Sequence, residues 1–469
     1  MQSSKLISLL KTLGPWQLKA FEKYVASPFF NVNENVLSCQ KALLLHHPEY
    51  TELNEKKLFA EVFGKKSFHH QTLRYIMTDL TRLLENFLIY DSLQNDPFLQ
   101  KQLLLRKLKN SGLEKYFNQQ SDQAKQLLNS EKKRISDYKQ KHTLDEITFE
   151  FNRNLSGRNT DNGLQELSDS MDSHYLVARL KYTCEMLNRQ NVLSEKYHLP
   201  SLPFLHTLIK EVKYIDPLVT VYIKIFELLQ NYHEEKRYHN LKKSLLNHLA
   251  EIDVEELRDI YVFLQNYCIR MINEGQEDFL RELFEIYVEM IDNEIIFEKN
   301  TLEHHQFKNI VTLALRLDKV AWVEQFISKQ QNRLNKDLRK NAVSYNTARV
   351  NYAKGKYREA LRIMSTVEFT DVYYHLDAKI LLLKIYYETQ DFEPLLSMIT
   401  STRTYLRRSK LISDYQRGIY INLLNYIRKM TRYKAGEKVD VQSIHDELLV
   451  KKDIADISWL KLKLAEMIF

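Results

Sequence analysis

The stretch Asn341–Leu406 decides the fold expected for this chain of 469 residues. It reads NAVSYNTARVNYAKGKYREALRIMSTVEF over 341–369 and, after TDVYYHL, DAKILLLKIYYETQDFEPLLSMITSTRTYL over 377–406. Each half has the pattern of a helix, a short turn and a second helix. The halves are in register, because Tyr357 and Phe392 stand 35 residues apart. A period of this length is typical of arrays of helical hairpins.

The composition agrees with an all-α fold. The chain contains only 9 Gly and 8 Pro. Few residues are therefore suited to turns with positive φ, and the sequence contains no glycine-rich phosphate-binding motif. The hydrophobic fraction of 44% is ample for a packed core, so the chain is not expected to be disordered. We therefore expect helices throughout.

Changes in pattern divide the chain into three parts. Residues 1–95 carry a closed set of apolar stripes and are expected to form an N-terminal helical module. Residues 96–160 are expected to form polar bridging helices, about 98–109 and 112–153, followed by a loop rich in turn formers at 156–163. Residues 161–469 are expected to form an α-solenoid. There, an aromatic residue recurs at the start of each second helix: Tyr238, Phe279, Trp322, Tyr357 and Phe392.

The N-terminal module resembles that of uncharacterised bacterial helical-repeat proteins. The resemblance rests on three motifs: Phe21 with Ser27-Pro28-Phe29-Phe30-Asn31, then Lys57-Leu58-Phe59-x3-Phe63-Gly64, then Leu73-Arg74-Tyr75-x-Met77-x-Asp79-Leu80. That family has no known activity, so the resemblance implies a helical class and leaves the function open.

The hairpins at 341–406 resemble the tetratricopeptide motif, which has small residues at two positions, a Gly near position 15 and an aromatic at position 17. The matching residues are Ala348, Gly355, Tyr357 and Ala360 in the first unit and Leu383, Gln390, Phe392 and Leu395 in the second. The resemblance implies an irregular right-handed α-solenoid of tetratricopeptide-like hairpins.

In that family the first helix of each hairpin lines a concave groove that binds peptides. Carried over position by position, the resemblance implies a partner-binding groove formed by Tyr345, Arg349, Tyr352, Lys384 and Tyr387. Tyr and Arg are enriched at binding hot spots, and the two cations favour an acidic or carboxylate-terminated peptide. The alternative is that these tyrosines pack against the neighbouring repeat.

The net charge of +7 is unevenly distributed. Residues 161–300 carry 15 basic and 25 acidic side chains, whereas residues 301–469 carry 29 basic and 19 acidic ones. A basic patch near the C-terminus is formed by Arg403, Arg407, Arg408, Lys410, Arg417, Arg428 and Arg432. Such a patch suits an acidic protein or a nucleic-acid backbone, although an ordinary charged surface gives the same pattern.

No catalytic or metal-binding motif occurs in the sequence. The adjacent histidine pairs, such as His46-His47 and His304-His305, lack the spacing that lets one helix chelate zinc. The 3 cysteines lie far apart and are expected to be buried free thiols of a reducing compartment. We therefore expect no enzyme, no metal and no cofactor.

The sequence predicts a cytoplasmic, non-enzymatic scaffold or adaptor. It has neither a signal peptide nor a run of apolar residues long enough for a membrane span. The expected partner is a protein or peptide bound in the helical-repeat groove. Two alternatives stay open: a nucleic-acid or ribonucleoprotein binder that uses the basic region 301–469, and an enzyme whose site is not visible in the sequence. The oligomeric state and the identity of the partner are not predicted.

Overall fold

The computed structural model is built mainly from α-helices. The structure describes residues 4–51, 53–129, 132–155, 163–193, 196–200, 202–211, 216–367, 372–409, 411–451 and 453–468. This part of the chain contains 23 α-helices and no β-strand, only isolated β-bridges. The predicted all-α class is confirmed.

The chain divides into two compact units. The first comprises Met1–Thr183, Leu199–Ile223 and Ala250–Ile252, and the second comprises Cys184–His198, Lys224–Leu249 and Asp253–Phe469. Helices α9 (Leu164–Leu193) and α11 (Pro217–Gln230) contribute residues to both. The other helices of the first unit are α1 Lys5–Leu10, α2 Pro15–Ala26, α3 Glu34–Leu44, α4 Glu55–Phe63, α5 His70–Gln94, α6 Pro97–Leu108, α7 Glu114–Leu128, α8 Ile135–Leu155 and α10 Leu202–Glu211.

Two separate apolar clusters lie among the described residues of the first unit. One joins buried residues of α1 to α5, from Leu6 to Phe87, and the other joins residues of α6 to α8, from Phe98 to Phe151. The single long helix predicted for 112–153 is wrong, because two helices, α7 and α8, occupy this stretch. Between them, the amide of Lys133 donates a hydrogen bond of 2.8 Å to the carbonyl of Glu251, a pairing that a continuous helix could not make.

The predicted division at residues 95 and 160 stays a prediction. Residues 96–155 belong to the same compact unit as the N-terminal module, although they form their own apolar cluster. Most of the loop predicted at 156–163 lies outside the described residues.

The second unit is built from helices that pack against their neighbours in sequence. They are α12 Glu235–His248, α13 Val254–Asn273, α14 Asp278–Asp292, α15 His304–Arg316, α16 Val320–Gln330, α17 Lys336–Ala353, α18 Tyr357–Met364, α19 Val372–Thr389, α20 Phe392–Arg408, α21 Asp414–Lys434, α22 Val441–Val450 and α23 Ile457–Ile468. Helical hairpins are formed by α13 with α14, α15 with α16, α17 with α18 and α19 with α20. Phe279, Trp322, Tyr357 and Phe392 lie in the first turns of the second helices of these hairpins, whereas Tyr238 lies in the first turn of α12, which is not part of the four hairpins.

The turns of these four hairpins share one geometry. Each first helix is followed by a residue in the left-handed region, namely Gly275, Asp318, Gly355 or Gln390, with φ between 56° and 95°. The amide after that residue donates back to the carbonyl five residues earlier, as from Lys356 to Asn351 at 2.9 Å and from Asp391 to Tyr386 at 3.0 Å. This is a Schellman cap, which satisfies carbonyls at the end of a helix. The match of Gly355 with Gln390 in the sequence is therefore a match in backbone conformation.

Substitutions at the two matched positions should have opposite effects. Gly355→Ala should lower the free energy of unfolding by about 1 kcal/mol, because a Cβ is disfavoured at φ 72°. No heavy atom lies within 4 Å of the added Cβ, so the cost is conformational. Gln390→Gly, which removes the side chain at φ 60°, should instead raise the free energy of unfolding by up to about 1 kcal/mol. Urea unfolding followed by circular dichroism measures both, and a destabilised Gln390→Gly variant would contradict this explanation.

Candidate protein-binding surface

Helices α17 and α19 bring together the residues that were predicted to bind a partner. Along α17, Tyr345, Arg349 and Tyr352 are three or four residues apart and so share one side of the helix. Along α19, Asp377 and Lys384 occupy one side in the same way. We call this surface the α17–α19 face.

Two of the predicted groove tyrosines are not accessible. Tyr345 is buried, with its ring 5.2 Å from that of Tyr374, and Tyr387 is completely buried. Burial raises the pKa of both hydroxyls, so both stay protonated at neutral pH. The expectation of an open groove is not met at these two positions. Their packing agrees with the alternative that the sequence left open.

The C-terminal helix α23 covers one end of the α17–α19 face. The indole nitrogen Nε1 of Trp459 donates a hydrogen bond of 2.9 Å to the hydroxyl of Tyr352. That hydroxyl donates in turn to Glu388 on α19, at 3.1 Å. The ring of Trp459 also meets that of Tyr387 edge to face, with 5.3 Å between centroids. Trp459 is thus an aromatic anchor that touches both helices of the face.

Two ion pairs hold α23 in the same place. Lys384 pairs with Asp456, the residue just before α23. Lys463, one turn after Trp459, pairs with Glu388 at 2.9 Å, and only 11% and 10% of these two side chains are exposed. Burial by itself would lower the pKa of Lys463, but its hydrogen bonds to Glu466 and Glu388 raise the pKa above the usual value. Lys463 is therefore a charged, nearly buried anchor.

The apolar side of α23 completes a core. Leu460 and Leu464 are fully buried in a cluster with residues of α19, α20, α21 and α22. Burying a leucine side chain contributes about 1.5–3 kcal/mol each. The helix is therefore amphipathic: leucines pack on the core, while Trp459 and Lys463 make the directional contacts to α17 and α19.

Arg349 differs from the other charged residues of the face. It lines a depression of about 170 Å³ together with Asp377, Lys384 and Asp456. Lys384 pairs with Asp456, and Asp377 pairs with Lys308 at 2.5 Å. The half-buried Arg349 donates to the hydroxyl of Thr312 and forms no ion pair with any carboxylate of the described residues.

The residues by which α23 covers this face carry no local signal in the sequence. The predicted site residues did not include Glu388, Asp456, Trp459 and Lys463, because their contacts join segments 72 to 107 residues apart. One hint was available: Trp459 is one of only 3 tryptophans, and it lies in the final amphipathic helix.

The predicted basic patch is spread over residues with different roles. Arg407, Arg408 and Arg428 are exposed and form no ion pair within the described part of the chain. Arg403 donates to Asn425 at 2.6 Å, and Arg432 pairs with Glu437 at 2.6 Å. Lys410 lies outside the described residues.

Arg417, the remaining member of the patch, closes the turn between α20 and α21. Its guanidinium donates to the carbonyls of Leu406 at 3.0 Å, Ser409 at 3.3 Å and Ile412 at 3.2 Å. Since these bonds satisfy carbonyls in the last turn and C-cap of α20 and at Ile412 before α21, the arginine is used within the fold rather than offered to a ligand.

Removing this cap should be costly. Arg417→Ala should lower the free energy of unfolding by about 2 kcal/mol, because the bonds come from a charged donor to partly buried carbonyls. Arg407→Ala, the matched control on an exposed arginine, should change it by less than about 0.5 kcal/mol. Thermal or urea unfolding distinguishes the two, and equal effects would show that Arg417 is not a structural cap.

The described residues offer little for catalysis. They contain no group of three or more His, Cys, Asp or Glu side chains placed to hold a metal ion. All 3 cysteines are free and buried, and burial raises the pKa of Cys39 and Cys268 to about 12, which disfavours the nucleophilic thiolate. No helix in the described ranges is long and apolar enough to cross a membrane.

Comparisons with known proteins identify no relative. No family model matches the chain, and searches of curated proteins and of solved structures find no match.

Proposed function

We propose that this protein is a non-enzymatic interaction protein that binds a protein or peptide partner on the α17–α19 face. The proposal includes a right-handed, tetratricopeptide-like solenoid for the second unit and a cytoplasmic location. The observation that carries it is Arg349, a half-buried arginine beside a depression of about 170 Å³ whose other charges are paired within the chain.

An arginine in this setting suits a carboxylate ligand. Its planar guanidinium binds a carboxylate through two parallel hydrogen bonds, and partial burial strengthens them. The depression is large enough for one side chain or a chain terminus, and too small for a cofactor. The proposed partner therefore presents an acidic side chain or a C-terminal carboxylate to Arg349.

A change at Arg349 should affect binding more than folding. Arg349→Ala should cost about 2 kcal/mol of partner affinity, as expected for a hot spot. The free energy of unfolding should fall by no more than about 1 kcal/mol, because the lost contacts are a bond to the Thr312 hydroxyl and a ring contact with Tyr345. Lys379→Ala, on the neighbouring helix α19, is the comparison variant.

Site-specific photo-crosslinking in the native cell tests the proposal. A photo-reactive amino acid replaces Tyr420, which lines the depression, and in a second strain it replaces the exposed Arg407. We expect a protein adduct from position 420 that disappears when Arg349→Ala is added and persists with Lys379→Ala. The absence of that adduct would overturn the proposal.

The strain with the photo-reactive amino acid at position 407 tests the alternative function, which is nucleic-acid binding. Arg407, Arg408 and Arg428 are exposed cations without described carboxylate partners, which is what phosphate-backbone binding requires. A nucleic-acid adduct from position 407, without a protein adduct from position 420, would favour a nucleic-acid binder.

A further inference from the structure

Helix α23 of the same chain covers one end of the α17–α19 face. Helix α23 is the last helix of the described chain, and it reaches α17 and α19 through Asp456, Trp459 and Lys463. These are the contacts by which an amphipathic helix docks on a surface: an acidic residue before its first turn, an aromatic anchor and a cation one turn later. The chemistry of α23 therefore shows what kind of segment this face accepts.

We propose that α23 is a built-in substitute ligand and that the partner is an amphipathic helix that displaces it. The proposal rests on the proposed function and deepens it by naming the partner class. The partner helix has the order found in α23: Asp456 at the N-terminal boundary, an aromatic at +3, apolar residues at +4 and +8, and Lys at +7.

A displacing helix must bind more tightly than α23 does. The partner can gain this additional affinity at Arg349. Asp456 pairs with Lys384, and Arg349 pairs with no carboxylate of the described residues. Ala455 lines the same depression as Arg349 but has no charge to offer. A partner with an acidic residue at the position of Ala455 would pair with Arg349 while its next residue pairs with Lys384. This extra ion pair supplies the differential affinity.

The contacts of α23 are of two kinds. Asp456, Trp459 and Lys463 make directional bonds to α17 and α19, whereas Leu460 and Leu464 are buried in a core with residues of α19, α20, α21 and α22. A displacing helix must replace both kinds of contact, and for this reason the proposed partner carries apolar residues at +4 and +8. The receiving side chains Tyr352, Lys384 and Glu388 belong to hairpins that pack on their own neighbours. Displacement would therefore leave the receiving surface in place.

Peptide binding to full-length variants tests the proposal. The probe is a fluorescent peptide of residues 453–469, and binding is followed by anisotropy. Trp459→Ala in the protein loosens α23 and leaves the receiving face intact. Lys384→Ala also removes a contact to α23 but damages the receiving face. If α23 is docked in about 99 of 100 wild-type molecules, the Trp459→Ala protein should bind the peptide about 100-fold more tightly than the wild type does.

The Lys384→Ala protein is the matched control, and its affinity for the peptide should rise much less than that of the Trp459→Ala protein. A second peptide carrying Ala455→Glu should bind the Trp459→Ala protein about tenfold more tightly than the first, as one added charge pair predicts. That gain should vanish when Arg349→Ala is added to the protein. Equal binding by the two variants, or no binding by a folded Trp459→Ala protein, would overturn the proposal.

Hydrogen exchange on the wild-type protein keeps the test decisive if Trp459→Ala does not fold. The amides of α23 should exchange at least 100-fold faster than those of residues 423–430 in α21, which is the mark of local opening. Equal protection would overturn the proposal.

The proposed function and this inference can fail independently. If the peptide binds but no protein adduct forms at position 420, the face binds a helix but has no cellular partner. An adduct without peptide binding shows a partner that binds beside a fixed α23.

Discussion

Replacing Trp459 with Ala should cost about 4 kcal/mol in the free energy of docking α23, as for other truncations of large buried aromatic residues. Only 8% of Trp459 is exposed, its ring packs on Tyr387, and its indole N–H bonds to Tyr352. Docking in about 99 of 100 wild-type molecules corresponds to about 2.7 kcal/mol. Most Trp459→Ala molecules should therefore have α23 undocked before urea is added, with the helices of the first unit retained.

The conservative variant separates packing from hydrogen bonding at this position. Trp459→Phe keeps most of the buried area and loses the hydrogen bond to the Tyr352 hydroxyl. The free energy of docking α23 should therefore fall by about 1 kcal/mol for the lost bond, together with a smaller cost for the cavity. If Trp459→Ala and Trp459→Phe had equal effects, the hydrogen bond rather than the packing would be the anchor.

Replacing Lys463 with Met should lower the free energy of unfolding by about 3 kcal/mol. The change leaves Glu388 nearly buried without its cation, and breaking a buried ion pair by removing one partner is strongly destabilising. Lys461→Met, on an exposed position of the same helix, is the matched control and should change stability by less than about 0.5 kcal/mol.

A double-mutant cycle checks that the effect of Lys463→Met comes from the pair. Adding Glu388→Gln removes the unpaired charge, so the double variant should recover most of the loss. Additive losses in the double variant would show that the two side chains do not interact as the structure indicates.

The helices and their turns could be predicted because they depend on neighbours in sequence. The 3–4 spacing of Leu73, Ile76, Leu80 and Leu84 belongs to the apolar stripes of residues 1–95, and these side chains are buried on one side of α5. Likewise, Gly355 and Gln390 marked two turns of the same geometry. The break between α7 and α8 was not predicted, because it depends on a contact between Lys133 and Glu251, which are far apart in the sequence.

The surface chemistry was predicted only in part, for the same physical reason. Helical spacing places Arg349 and Lys384 on the α17–α19 face, where both line one depression. Spacing does not reveal which face another helix will cover, and so it did not indicate the burial of Tyr387 by Trp459. The sum of charges over 301–469 likewise did not distinguish the exposed Arg407 from Arg417, which is used within the turn after α20.

We infer that the α17–α19 face binds an amphipathic helix and that α23 is its present occupant. Hydrogen exchange of α23 during competition tests this inference most directly. The full-length protein is labelled with ¹⁵N so that its fragments are distinguished from those of an unlabelled peptide of residues 453–469, which is added in excess. We predict faster exchange at residues 457–467 of the labelled protein when the peptide is present, because the peptide takes the place of α23. Unchanged exchange at these residues, at peptide concentrations that saturate the Trp459→Ala variant, would contradict the claim.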